Sequence, residues 1–299
     1  VALMLGSRSS LLASRPGGRR SSRRSVCASA SSEVALPALP FPPEEVLLPG
    51  ATKKLHLYEA RFLALLDAAR GREGECADLF CHAVLLPVSE DPFGGGGGGY
   101  VRAAHCAVGR VLEVERLGVG CLVTVRGEAP AQVTSLARAG EESPFLHANL
   151  TLAEDAPFDA ECGGEEVAEA AALALRETLG EVVALAERVE ALKAPPESAL
   201  GEASAAGALK AALAWAEAAE PVRLGGRRWG GAGAATASFA ALHAAPEASD
   251  TERRALLERQ LAAIEERDVD QRIRLAVHHA EEARAALAAK ASLLALNLA

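Results

Sequence analysis

Aromatic residues make up only 4% of this 299-residue chain, with two tryptophans and two tyrosines among them, and there is a single methionine. Little surface is therefore available for stacking nucleobases, and the core has to be built from small aliphatic side chains, much of it alanine, which favours helices. No apolar run approaches the roughly 20 residues of a membrane span. No GxxxxGK(S/T) occurs, which leaves out a P-loop ATP motor, and no serine is followed by a lysine suitably placed for a peptidase. The six cysteines (Cys27, Cys76, Cys81, Cys106, Cys121, Cys162) contain no CxxC pair and no regular framework. In a chain this long they read as reduced, mostly buried thiols.

Acidic residues are missing from residues 1–32, which carry six arginines and many serines. That is the composition of an organellar transit peptide, with Val26, Cys27 and Ala28 before Ser29 as the expected processing site. A disordered basic tail is the other reading. The serine content and the Ala/Gly-rich remainder point to a plastid, so the chloroplast stroma is the expected location. The sequence does not begin with methionine, and a start further upstream is expected. Residues 33–299 hold 25 basic against 40 acidic residues, a net −15, which repels nucleic-acid backbones. Six glycines at 94–99 read as a flexible low-complexity loop.

Residues 36–66 organise the rest. Leu36, Leu39 and Phe41 lie among prolines that hold the backbone extended and supply few ladder donors, which predicts an edge strand. Val46, Leu47 and Leu48 form an apolar run stopped by the turn dipeptide Pro49-Gly50. Leu55 and Leu57 alternate as a half-buried strand, and Leu57, Arg61, Phe62, Leu65 and Leu66 fall on adjoining stripes of a helix with Glu59 near its start. Further strands are predicted over 80–87, 104–115 (Val108, Val111, Leu112 and Val114 inward), 121–126, 131–136 and 145–152, with a turn at 127–130.

From about 163 the pattern turns helical, with Leu175, Leu179, Val182, Ala186 and Val189 on one face. A short helix over 208–219 bears Trp215. Residues 222–236 read as a Gly-rich linker, Ser238 begins another short helix, and Ser249 with Glu252 forms a capping box. After a bend at 268–272, Val269, Ile273, Ala276, Val277, Ala280, Leu287 and Leu294 line an amphipathic helix that runs to the end. The fold class is α+β: a barrel-like β lobe over 33–155, then a helical lobe over 156–299 with a long C-terminal helix.

Three blocks in 36–62 match a known pattern: Leu36, Pro37, Leu39 and Pro40; then Val46, Leu48, Pro49 and Gly50; then Leu55, His56, Leu57, Tyr58, Glu59, Arg61 and Phe62. The stretch resembles the opening of the Lon protease N-terminal domain, with Ala60 where that family usually has proline. Val108-Gly109-Arg110-Val111 and the segment 122–127 resemble its later blocks, although an arginine-phenylalanine pair is replaced by Glu128-Ala129-Pro130. The resemblance covers roughly 36–290. It implies a PUA-like, half-open β-barrel lobe followed by helices, in a stand-alone domain protein without ATPase or protease parts. It also implies a non-catalytic role, binding unfolded or degron-bearing polypeptides in protein quality control, alone or with a protease or chaperone partner. The signature positions Pro49, Gly50, His56, Tyr58, Glu59 and Arg61 are the candidate binding residues. They are expected to border a groove between the lobes or an exposed strand edge.

No cofactor, metal, nucleic acid or membrane partner is expected. Cys76, Cys81, His82, His105 and Cys106 fail as a zinc set because the spacing is irregular and adjacent strand residues face opposite ways. Glu59 and Arg61 read as an ion pair or helix-start contact, since no nucleophile accompanies them, and His278-His279 reads as a solvated face. The alternative to polypeptide binding is an adaptor or interaction scaffold that self-associates through its C-terminal helix as a homo-oligomer.

Overall fold

The computed structural model describes residues 33–87, 100–102, 105–138, 140, 143–156, 164–193, 205–243 and 250–298. The basic segment 1–32, the glycine run 94–99, Cys162 and Ser249 with its capping box lie outside them. The β lobe contains β1 (Val34–Phe41), β2 (Thr52–Leu57), α1 (Ala60–Arg70), β3 (Leu79–Pro87), β4 (Tyr100–Arg102), β5 (His105–Arg116), β6 (Cys121–Arg138) and β7 (Leu146–Leu152). The helical lobe contains α2 (Gly164–Lys193), α3 (Ala205–Ala218), a hairpin of β8 (Val222–Leu224) and β9 (Arg227–Trp229), α4 (Ala234–Ala240), α5 (Asp250–Glu265) and α6 (Val269–Leu298). This is the α+β order that the sequence predicts.

Strands β1, β7, β6, β5 and β3 form a ring that closes where β3 pairs with β1, the one parallel contact in it. The expected edge strand β1 is therefore the closing strand. It changes partner at Ala38, which stands opposite both Leu146 and Cys81. Strand β6 is long enough to serve two neighbours, with 121–126 pairing β2 and 131–138 pairing β7.

The turn expected at 127–130 is absent, and the strand runs through it. Gly50 N donates to Gly127 O (2.8 Å), Gly127 N donates to Ala51 O (2.9 Å), and Pro130 stays opposite Ala107. These long-range bonds satisfy the backbone where a local reading sees only turn formers. A register shift between Val111 and Glu113 turns Leu112 outward, leaving it 45% exposed rather than inward as predicted.

The ring interior (Leu36, Leu79, Val108, Val133, Leu150) continues without a break into Trp229, Phe239, Leu242 and Ile264 of the helical lobe. A second layer buries Leu57, Leu65, Leu66, Phe80, Val123 and Val125 between α1 and the outer face of the sheet. The predicted stripe of α2 is buried, against an alanine-rich face of α6. Helices α2 and α6 lie side by side in the same direction: Ala168 and Ala172 cluster with Val269 and Ile273, Glu181 pairs with Arg284 (2.9 Å), and Val189 shares a cluster with Leu287 and Ala291.

Three readings of the helical half change. Residues 222–236 are no linker, because Val222, Leu224 and Trp229 are buried in a hairpin whose turn, Gly225-Gly226, takes positive φ at both positions. Helix α4 starts at Ala234, so Ser238 lies near its end. His279 is buried rather than solvated, with Arg259 Nη1 2.9 Å from its Nδ1 across the α5–α6 hairpin. The break before α6 falls at 266–268, where Asp268 Oδ1 accepts from Asp270 N (2.9 Å) and Gln271 N (3.4 Å).

The segment leaving β7 is tied to this break. Arg267 Nη1 donates to Ala153 O (3.3 Å) and Ala156 N to Arg267 O (2.8 Å). Arg272, fully buried, donates from Nε to Ser238 Oγ and from Nη1 to Asp155 Oδ1 and Glu266 O, each at 2.8 Å, with its guanidinium 4.7 Å over the Phe239 ring.

Candidate functional site

The six signature residues separate into two groups at opposite ends of β2. Pro49 and Gly50 lie at the seam between the lobes. His243 Nε2 donates to Pro49 O (3.1 Å), and Gly50, at φ +83°, leaves room for the indole of α3: a Cβ there would lie 2.4 Å from Cε3 of Trp215. Gly50 thus answers two demands at once, a left-handed backbone and a flat aromatic neighbour. Gly50→Ala is expected to cost about 1–3 kcal/mol and to shift the emission of Trp215. Thermal unfolding with tryptophan fluorescence measures both.

His56, Tyr58, Glu59 and Arg61 lie at the other end, where β2 passes into α1. His56 Nε2 donates to Val119 O (3.1 Å), and its ring is 5.7 Å from that of Tyr58. The turn joining β5 to β6 comes so close that a Cβ on Gly120 would sit 2.2 Å from Leu57 O. Tyr58 (61% exposed), Val119 (72%) and Leu117 (41%) are therefore exposed apolar residues at the same end of β2. At the start of α1, Arg61 Nε donates to Glu59 Oε2 (2.7 Å) and stacks 4.5 Å over Phe62. Glu59 holds the position before α1, but its carboxylate goes to Arg61 instead of the helix amides.

Strand β2 bonds β6 along one edge only, and among the described residues no strand covers the other. Lys53 Nζ donates to Glu45 O and Oε2 (2.9 Å each). The sequence reading missed Leu117 and Val119. Their signal was the turn Leu117-Gly118-Val119-Gly120, two large aliphatic residues where a turn needs none.

The groove expected between the lobes is lined mostly by charged residues and by the chain that follows α3. It is a cleft of about 710 Å³ with charged residues of the β lobe on one side and α3 with the chain after it on the other. Arg110 of β5 and Arg126 of β6 stand directly opposite in the ladder and share the buried Glu128. Arg110 Nε (3.2 Å), Arg126 Nε (3.1 Å) and Arg126 Nη2 (2.8 Å) all donate to Glu128 Oε1. None of these was singled out as a site residue, because their meeting depends on strand register and on a partner lobe.

Two buried histidines complete the set. His82 stacks flat on Phe41 (centroids 4.2 Å apart, 7° between planes), and burial followed by the charge of Lys53 pulls its pKa down to about 3. Burial pulls His243 down to about 4, opposed by its bond to Pro49. Cys81 is raised well above its ordinary value, chiefly by the hydrogen bond with Cys106 and then by burial, the behaviour of a core thiol. Among the described residues no group of three or more His, Cys, Asp or Glu is placed to hold a metal ion.

No family model and no curated protein matches this sequence. Among solved structures the chain is similar to the N-terminal domain of a Mycobacterium avium complex Lon protease, at 19% identity and a TM-score of 0.45, covering 83% of this chain and 98% of that one. It is also similar to a Lon N-terminal domain protein from Xanthomonas campestris, at 18% identity and a TM-score of 0.42, covering 81% and 95%.

Proposed function

We propose that this chain is a non-catalytic polypeptide-binding protein of plastid protein quality control, holding extended segments of unfolded or degron-bearing clients along the free edge of β2. The observation that carries this reading is the exposure of Tyr58, Leu117 and Val119 beside a strand edge that no strand covers among the described residues. Strand addition uses main-chain hydrogen bonds and so tolerates many sequences, while adjacent exposed apolar residues reward the hydrophobic side chains that unfolding exposes. The signature blocks of 36–62 and the transit-peptide composition of 1–32 support the same role and place. A protease or chaperone would act on what this chain holds.

Tyr58→Ala with Val119→Asp is expected to weaken capture of denatured polypeptides about tenfold with the melting temperature retained. Equal capture by the folded double variant removes the proposal. A second reading, self-association, is favoured by Leu293 and Leu296, which are 63% and 73% exposed near the end of α6. Light scattering of Leu293→Glu/Leu296→Glu tests it: a dimer that becomes a monomer supports the scaffold, and an unchanged mass rejects it.

A further inference from the structure

We infer that α5 is a hinged flap over the ring interior, and that its latch, Arg259 held by His279 and Glu282 of α6, is released when His279 takes a proton. This device is independent of the polypeptide-binding reading. Leu257, Leu261 and Ile264, spaced i, i+4 and i+7, put one stripe of α5 against the apolar cluster that fills the ring. Burial along the helix is graded. Residues 250–254 are exposed, Leu256, Leu257 and Leu261 are half-buried, and only Ala263 and Ile264, at the far end, are buried. The helix is thus anchored beside the break at 266–268 and thinly packed at its start, which is how a segment that opens locally is built.

Side-chain bonds tie down the middle of α5. Gln260 Nε2 donates to Leu242 O (3.0 Å), and Arg259 Nη1 lies 2.9 Å from His279 Nδ1 and 2.6 Å from Glu282 Oε2. A guanidinium has donors and no acceptor, so Nδ1 receives this bond, and it can do so only while the imidazole is neutral. A proton on Nδ1 sets donor against donor and cation against cation. Glu282 stays ionised meanwhile, because the hydrogen bond from Arg259 holds its carboxyl below the usual range. With the flap closed, Arg259 occupies the place of the proton on Nδ1. With it open, the ring protonates as a histidine ordinarily does, near pH 6.5. Closure is therefore intact above about pH 6.5 and weakens below it.

The elements packed around α6 carry other charges. On α6 itself His278 Nε2 lies 3.2 Å from Oε1 of Glu282, the oxygen that Arg259 does not use. On α5, Glu258 is exposed and Arg253 pairs with Asp250. On α2, Arg176 is a further cation, Glu177 is exposed, and Glu181 is taken up by Arg284. Helix α4 has no titratable residue, and His243 in the turn after it donates to Pro49 O.

Hydrogen exchange of the full chain under native conditions, read by mass spectrometry at pH 7.5 and 5.5 with the intrinsic rates divided out, tests the latch. Peptides from 250–265 should lose protection about tenfold at pH 5.5, one unit below the ordinary histidine value. Acid also lowers global stability through His82 and His243, so peptides from β5 and β6 are followed as the record of that change. In His279→Gln, whose amide oxygen accepts from Arg259 at either pH, α5 should keep its protection while the ring strands respond as in the parent. Arg259→Gln removes the latch from the other side and serves even where His279→Gln does not fold: its α5 should exchange at pH 7.5 as fast as the parent's at pH 5.5, with the drop abolished. His278→Gln should retain the parent's drop, because His278 and Arg259 use different oxygens of Glu282. No drop in the parent, an equal drop in His279→Gln, a drop that persists in Arg259→Gln, or one abolished by His278→Gln overturns the proposal.

Discussion

Replacing Arg272 by methionine is expected to remove about 3–5 kcal/mol of stability, lowering the thermal midpoint by roughly 10 °C for a body of this size. Arg272 has no exposed surface and holds Ser238, Asp155 and the carbonyl of Glu266 at once. Asp155 is itself only 17% exposed, so the change strands a carboxylate and a carbonyl together, while Ser238 keeps its bond to Ala235 O. The same bonds tie the segment leaving β7 to the start of α6, so the loss falls on the junction of the two lobes. Adding Asp155→Asn should recover part of the stability, because the stranded charge is then gone. Denaturant unfolding of the parent and both variants measures this. A loss under about 1 kcal/mol in Arg272→Met would mean that the buried guanidinium is not a tie between lobes.

Acid should unfold the protein in a window set by two histidines. His82 and His243 have folded pKa values of about 3 and about 4, below the ordinary 6.5. The unfolded chain therefore binds protons that the folded chain refuses. Stability is fully present above about pH 6.5 and falls as the pH drops, levelling off for His243 near 4 and for His82 near 3. Each unit of such a gap is worth about 1.4 kcal/mol, so the pair together rivals the whole stability of an ordinary domain. Between pH 6.5 and 5 most carboxylates are still ionised, and the slope there belongs to the histidines. His82→Phe keeps the stack on Phe41, and His243→Gln keeps a donor for Pro49 O. Melting temperatures of this double variant should fall less over that interval than the parent's, with a remainder from His147, whose pKa burial also lowers. Superimposable curves would falsify the assignment.

What the sequence shows and what it hides follow from the range of the forces involved. The faces of α2 and α6 were legible because helix periodicity is local: Leu175, Leu179, Ile273 and Leu287 are buried as their spacing requires. Residues 127–130 were misread because the bonds that keep β6 extended come from Gly50 and Ala51, far away in sequence. Strand β1 looked like an edge because prolines are commonest there, yet ring closure gives it two partners. The hairpin at 222–229 was hidden by its glycines, since nothing local shows that Val222, Leu224 and Trp229 have a core to enter. At the candidate sites, the Glu59–Arg61 pair could be read from two nearby residues. Arg110, Arg126, Glu128 and Trp215 meet only once strand register and lobe packing are fixed.

The side-by-side course of α2 and α6 has a consequence for how the molecule is made. The two helices that share the helical core stand about a hundred residues apart, and α6 comes last. While the ribosome is still working, the β lobe has all its strands, but the apolar stripe of α2 waits uncovered for a partner not yet translated. A nascent chain of this protein thus passes through a stage in which the stripe of α2 is apolar surface open to solvent until α6 has been made.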